Sequence, residues 1–314
     1  MKAPIPFIHR LNEDEERHWL SLLSQKLPDE TILPLNKLSQ AEREFADIAV
    51  VANPDPQDLE CLPNLVWIHS VWAGVERIVR ELDAPTFSIV RLVDPELSST
   101  MAEAVLAWTL FLHREMPYYA EQQRTAVWQP IPYVAARDRT VGILGLGELG
   151  RASVAKLQAS GFNVIGWSRT PKTIADVETY SGSEGLEETL KKSDILVCLL
   201  PLTSETEHLL DFERFGFLRP GARLINFARG KIIDDEALLY SLNTGQLQHA
   251  VLDVFAIEPL PRSHPYWTHP NVTVLPHVSA ATTVSSASTI VAQNIRNYRY
   301  LNILPKTVDI QIGY

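Results

Sequence analysis

Short apolar runs punctuate the first hundred residues, at 5–8, 31–33, 48–51, 66–69 and 88–90. Each suits a strand buried on both faces, and helical stretches lie between several of them. The clearest helix follows Asn12, a natural cap. Its first turn carries Glu13, Asp14, Glu15 and Glu16, as the helix dipole prefers, and Trp19, Leu20, Leu22 and Leu23 supply its buried face. This alternation predicts a small parallel α/β domain. From 98 to 113 the apolar positions Met101, Val105, Leu106, Leu110 and Phe111 predict one long helix, which Pro117 ends or bends. Residues 122–138 are polar, contain Pro130 and Pro132, and read as a long connection; Trp128 within it would ordinarily pack against the nearest helix.

The pattern then resumes with apolar runs at 141–144, 163–167, 195–200, 223–227, 250–254 and 272–275, and with helix-like segments at 152–159, 186–192 and 234–244. Six such strands make a doubly wound sheet. A last helix is predicted over 283–300, returning the chain to the first domain, with 308–310 as a closing edge segment. The predicted fold class is therefore α/β: two Rossmann-like or flavodoxin-like domains with doubly wound parallel sheets and a cleft between them. The domains would be 1–104 with 286–314, and 105–285.

With 314 residues, 46% of them hydrophobic and 21% charged, the chain has ample core for two soluble domains. A net charge of −10 argues against a nucleic-acid or anionic-membrane partner, so an anionic ligand must be held by local positive groups. Cys61 and Cys198 stand far apart in no metal-like spacing, so neither a disulfide framework nor a metal site is expected. Met1 and Lys2 open a stretch without a long apolar region, so no signal peptide or membrane span is expected and the cytoplasm is the default location.

The run at 141–144 leads directly into Gly145-Leu146-Gly147-Glu148-Leu149-Gly150 and then a helix. In a strand-turn-helix context GxGxxG fits a dinucleotide. Gly145 allows the tight bend, Gly147 lets the backbone approach a pyrophosphate, and Gly150 lets the helix lie close on the strand. The phosphates would sit at the helix N-terminus, where N–H groups and dipole favour negative charge. The second strand ends in Ser168-Arg169-Thr170, without the acidic residue that binds an NAD ribose. A guanidinium and two hydroxyls suit a 2′-phosphate, so NADPH is expected in preference to NADH.

Three polar residues follow strands of this second domain: Arg229 in NFARG, Glu258 in DVFAIEP and His277 in LPHVSA. Singly, each has an ordinary structural reading: a capping Arg, a solvated Glu, a core His bonded to a carbonyl. Together at strand carboxyl ends they form what 2-keto acid reduction needs. A cation, Arg229, holds the substrate and polarises its carbonyl; an acid, His277, supplies the proton; and Glu258 orients the imidazole and favours its protonated form. In the first domain Val71-Trp72-Ala73-Gly74-Val75-Glu76 offers backbone N–H groups to a carboxylate, although on its residues alone an ordinary strand-to-helix turn is the plainer reading.

The order GLGELG, WSRT, NFARGKIIDDEAL, LDVFAIEPLP and LPHVSA resembles the D-isomer-specific 2-hydroxyacid dehydrogenase family. Within it the chain is similar to the bacterial glyoxylate/hydroxypyruvate reductases of the A type, an NADPH-dependent branch. The resemblance implies Arg229, Glu258 and His277 as the catalytic set. It implies substrate binding by Trp72, Ala73 and Gly74, with Trp128 of a Trp-x-Pro segment entering the neighbouring subunit's pocket of a homodimer. It further implies that Leu200, Pro201, Phe227, Ala228, Asp253 and Ser279 line the cofactor beside Gly145, Gly147, Glu148, Leu149 and Gly150, with Asp253 near the nicotinamide amide. Two departures are Glu148, an acid near the expected pyrophosphate, and the segment 277–280, where many relatives carry a glycine. Other 2-hydroxy acids such as phosphoglycerate are alternative substrates, weakened by the lack of an added regulatory domain. Formate is disfavoured because its oxidation needs no acid–base step. The competing class is a dinucleotide-sensing protein of the same fold.

Overall fold

The five apolar runs of the first hundred residues become parallel strands: β1 (Ile5–His9), β2 (Ile32–Pro34), β3 (Ile48–Ala52), β4 (Trp67–Ser70) and β5 (Ser88–Val90). Their order, β2-β1-β3-β4-β5, is the flavodoxin-like doubly wound one. Every residue of β3 is buried, which is why it reads as an unbroken apolar run. The computed structural model describes residues 3–82 and 85–314, so Met1 and Lys2, which open the stretch where no signal peptide is expected, lie outside the described residues.

Helix Glu13–Lys26 starts where Asn12 predicts: the Asn12 side chain accepts from the Asp14 and Glu15 N–H groups, and the Glu15 carboxylate accepts from the Asn12 N–H. Its Trp19 and Leu23 enter one core with Phe7, Val50 and Trp67, and with Ala287, Val291 and Ile295 of helix Val284–Leu301. The last helix therefore belongs to this unit. Residues 308–310 do not form a strand. Val308 donates to the Ile89 carbonyl on β5 at 2.8 Å, but the Asp309 side chain then accepts from the Gln311 N–H at 2.9 Å and turns the backbone away.

The second unit holds β6 (Thr140–Leu144), β7 (Asn163–Ser168), β8 (Glu178–Ser181), β9 (Ile195–Cys198), β10 (Ala222–Asn226), β11 (Leu247–Leu252) and β12 (Val272–Val274). They form one parallel seven-stranded sheet, ordered β12-β11-β10-β9-β6-β7-β8. The chain reverses its direction of growth at the neighbours β6 and β9, so the crevice that binds ligands in such sheets lies at their carboxyl ends. The strand beyond the expected six is β8, a polar Glu-Thr-Tyr-Ser edge segment without an apolar run.

Pro117 opens a helix rather than closing one. The long helix runs Pro95–His113, Glu115 takes a left-handed conformation, and Met116–Arg124 begins a new helix with proline in its first turn. Residues 122–138 are thus only partly connection. The Glu115 carboxylate fixes the junction by pairing with Arg223 and with Arg139.

The two units are Met1–Glu96 with Thr282–Tyr314, and Leu97–Ala281. The divisions differ from 104/105 and 285/286 because of packing. Met101 and Val105 join Val141 and Ile143 in the second core, whereas Thr283 and Ser286 bond to Glu96 and Asp94. Among the described residues no helix is long and apolar enough to cross a membrane, and no metal-binding cluster of His, Cys, Asp or Glu occurs.

Candidate active site

The glycine turn follows β6 directly. Gly145 has φ +104°, outside the range of ordinary side chains. A Cβ on Gly150 would lie 1.9 Å from the Gly145 carbonyl oxygen, so that residue must also be glycine for the turn to close against the helix. Gly147 is the N-cap of helix Glu148–Ala159 and offers no side-chain bond to the first turn. The N–H groups of Glu148, Leu149 and Gly150 therefore lack the intrahelical acceptors of later residues, the arrangement that binds phosphate. Glu148 itself is exposed, and a carboxylate in the first turn is compatible with the dipole.

At the end of β7, Ser168 is buried and donates to the Thr170 carbonyl at 2.8 Å, so its hydroxyl hydrogen is already engaged. Thr170 is exposed. Arg169 pairs with Glu205 at 2.8 Å, both side chains being about half exposed, at 49% and 64%. Lys172 is a second cation here, not expected from sequence: its Nζ reaches the Leu146 carbonyl at 3.3 Å, inside the glycine turn. Three residues beyond Arg169 and in no recognised motif, it gave no signal of its position.

The loop after β10 is organised by Asn226, wholly buried. Its side-chain oxygen accepts from the Ala228 N–H at 3.2 Å and its amide donates to the Arg229 carbonyl at 3.1 Å. Phe227 and Ala228 are buried, and the Arg229 guanidinium donates to the Ala228 carbonyl at 2.7 Å. A Cβ on Gly230 would fall 2.0 Å from the Phe255 carbonyl carbon. The loop bearing Arg229 thus lies directly on the loop bearing Glu258. Neither Asn226 nor Gly230 was singled out from sequence, although both stand within the NFARG motif.

Glu258 and His277 are in contact. His277 Nδ1 lies 2.8 Å from Glu258 Oε2, and Glu258 Oε1 accepts from the Phe255 N–H at 2.9 Å. An ionised carboxylate only accepts, so Nδ1 carries the hydrogen and Nε2 is left for other chemistry. His277 has φ +56°, a conformation few non-glycine residues adopt. The buried Asp253 supports it: its carboxylate accepts from the Val278 N–H at 2.7 Å and the Ser279 N–H at 2.9 Å. Asp253 is thus engaged in holding the His277 loop, a duty sequence did not indicate.

Leu200 is buried and Pro201 partly so, with the Pro201 carbonyl accepting from Thr206 at 2.7 Å. The Ser279 hydroxyl is buried with no partner among the described residues. An orphaned hydroxyl at a strand-end loop, together with the glycine turn and two cations beyond β7, fits a dinucleotide with an amide at one end and phosphate at the other.

In the first unit Trp72, Ala73 and Gly74 follow β4. The Trp72 ring is partly buried and packs edge-on against Trp19 at 6.1 Å, on the core of that unit. A large apolar ring gains more from that burial than from solvent. Its backbone forms the turn, with the Trp72 N–H donating to Ser70 Oγ at 3.1 Å. Trp128 does not pack on a helix; it is 98% exposed. The segment under it is nevertheless fixed, because the Gln122 side chain donates to the Gln129 carbonyl at 2.8 Å and accepts from the Gln129 N–H at 3.0 Å.

Residues 106–279 match the NAD-binding domain of the D-isomer-specific 2-hydroxyacid dehydrogenases. The chain is 36% identical to a glyoxylate/hydroxypyruvate reductase A of Serratia proteamaculans, over 99% of both chains. Its structure is similar to a D-isomer-specific 2-hydroxyacid dehydrogenase of Xanthobacter autotrophicus solved with NADPH, at a TM-score of 0.93 and 35% identity over 99% and 100% of the two chains. It is also similar to an NADPH-dependent glyoxylate/hydroxypyruvate reductase of Sinorhizobium meliloti solved with NADP and sulfate, at 0.90 and 32% over the whole of both chains.

Proposed function

The chain belongs to the D-isomer-specific 2-hydroxyacid dehydrogenase family, and from that premise we propose that it reduces small 2-keto acids, glyoxylate and hydroxypyruvate first, with NADPH. The observation that carries the reading is the His277–Glu258 couple at 2.8 Å, placed at strand carboxyl ends beside the Arg229 loop. NADPH, when bound, would supply the hydride that the carbonyl carbon accepts. The residues provide the rest. Arg229 holds the substrate carboxylate and stabilises the charge growing on the carbonyl oxygen. His277 gives that oxygen the proton on Nε2, while Glu258 keeps the ring oriented and offsets its positive charge.

Helix-terminal N–H groups from Glu148 to Gly150 would hold the pyrophosphate, Arg169 with Lys172 the 2′-phosphate, and the free Ser279 hydroxyl the nicotinamide end. Leu200, Pro201, Phe227 and Ala228 supply apolar lining. The substrate carboxylate would rest on the Ala73 and Gly74 N–H groups. The Trp72 carbonyl accepts from the Leu92 N–H at 3.1 Å, so the trans peptide turns the Ala73 N–H the opposite way, and no described residue accepts from it or from Gly74.

The same reading makes the protein a homodimer of the cytoplasm. Trp128, with the half-exposed Val127 and a surface pocket of about 550 Å³ beside it, is the surface a second copy would cover. The net charge of −10 and two unpaired cysteines accord with a small-molecule partner in a reducing compartment, without nucleic acid. A steady-state panel of 2-keto acids with NADPH and NADH tests the function. Turnover of glyoxylate or hydroxypyruvate with NADPH is expected; no turnover with any small 2-keto acid would instead favour a dinucleotide sensor.

A further inference from the structure

We propose that His69 and Asn294 are positioning residues for the turn at 71–75, holding it through the Ser70 carbonyl. The inference rests on the reading of that turn as the substrate-carboxylate cradle. His69 lies on β4, wholly buried, with its Nδ1 2.8 Å from the Ser70 carbonyl oxygen and its Nε2 2.9 Å from the Asn294 side-chain nitrogen. A carbonyl only accepts, so Nδ1 must carry the hydrogen; an amide NH2 only donates, so Nε2 must be bare. Both partners therefore demand one tautomer. With the Asn294 amide turned over, both ring nitrogens would need hydrogens, and burial opposes that charge.

The chain from 70 to 73 is pinned peptide by peptide. The Ser70 carbonyl accepts from His69, and the N–H of the same peptide, on Val71, donates to the Val51 carbonyl at 2.9 Å. The next N–H, on Trp72, donates to Ser70 Oγ, and the Trp72 carbonyl accepts from Leu92. The first donors left over are those of Ala73 and Gly74. The His69 ring is held in turn from helix Val284–Leu301, 225 positions away in sequence. Without the Asn294 donor the ring can change tautomer and turn a lone pair on the Ser70 carbonyl, releasing the peptide from which the cradle is aimed.

The test compares Asn294→Leu and His69→Phe with the native enzyme, using glyoxylate and NADPH. We expect the KM for glyoxylate to rise about tenfold, as for loss of one well-placed hydrogen bond, while kcat and the KM for NADPH stay within about twofold. An unchanged glyoxylate KM in Asn294→Leu overturns the proposal. Nitrogen NMR of the native protein is an independent check that needs no variant, should His69→Phe not fold: hydrogen on Nδ1 alone is expected at neutral pH, and hydrogen on Nε2 overturns it. Ala73→Pro, which removes one cradle N–H, separates the two claims. If it raises the glyoxylate KM while Asn294→Leu does not, the cradle stands and the positioning role falls. If it too leaves that KM unchanged, the cradle falls and the positioning role with it.

Discussion

Glu258 divides its carboxylate between His277 Nδ1, 2.8 Å from Oε2, and the Phe255 N–H, 2.9 Å from Oε1. The second bond anchors the carboxylate in its own turn, so the backbone, and not a swinging side chain, sets the direction of the imidazole. Asp253 does the same from the other side through the N–H groups of Val278 and Ser279.

Removing the acid should therefore damage the chemical step more than binding. His277→Ala is expected to lower kcat by about 10²–10⁴, the usual range for a general acid, with NADPH affinity within a few-fold by fluorescence titration. Glu258→Gln, which keeps the shape and loses the charge, should cost less than His277→Ala. Comparable losses of turnover and cofactor affinity in His277→Ala would make that residue structural.

Gly230 is where the Arg229 loop touches the Glu258 loop. An added Cβ would meet the Phe255 carbonyl carbon at 2.0 Å and the Ala256 nitrogen at 2.3 Å, and both are backbone atoms. One loop must move. Gly230→Ala is thus expected to lower kcat/KM by at least tenfold and to destabilise the fold by about 1–3 kcal/mol, the usual penalty for overpacking. Denaturant titration and kinetics on the same preparation test both. Native values in each would mean that the loops are not held in contact.

Cofactor choice should follow the charge beyond β7. Arg169→Asp places a carboxylate where a 2′-phosphate is expected and should lower the ratio of kcat/KM for NADPH over NADH by more than tenfold. Because Glu205 already occupies Arg169, Glu205→Gln should lower the KM for NADPH a few-fold at low salt. If the NADPH-to-NADH ratio survives Arg169→Asp, the phosphate is held elsewhere, and Lys172 is the next residue to replace.

The parts of this fold that were legible are those where one chemical reason decides the outcome. Strands buried on both faces, such as β3 and β9, must be continuous apolar runs. Gly145, Gly150 and the cap at Asn12 are read from residue type because backbone geometry there admits few alternatives. What escaped depends on neighbours that sequence does not display. β8 is polar and exists because β7 offers it an edge. Glu115, in a left-handed conformation, separates two helices where Pro117 alone suggested a stop. His69 looks like any residue in an apolar run until Asn294 is beside it. Trp72 and Trp128 share a residue type, yet one is packed on Trp19 and the other is exposed. Burial of an aromatic is settled by what lies opposite, not by its own identity.

Acid sensitivity follows from two histidines buried as neutral rings. Burial pushes both His69 and His249 down to about 4, the latter helped by the nearby Arg223 charge. An unfolded histidine titrates near about 6.5. Between those values the unfolded chain binds protons that the folded chain refuses, so stability is complete above about pH 6.5 and falls as pH drops towards 4. Carboxylates titrate mostly below this window. His113 and His269, shifted downward chiefly by burial, act in the same direction. For one ring, the loss between about pH 7 and pH 5 is on the order of 2 kcal/mol. His249 is the ring to replace, because it lies on β11 of the second unit, whereas the cradle belongs to the first, and among the described residues its Nε2 bonds only to Thr273 Oγ1, at 2.9 Å, which a glutamine amide can also reach. Urea unfolding of His249→Gln at the two pH values should show a pH-dependent loss smaller than the native one by about that amount. Equal losses in the two proteins would mean that the His249 ring is free to protonate within the fold.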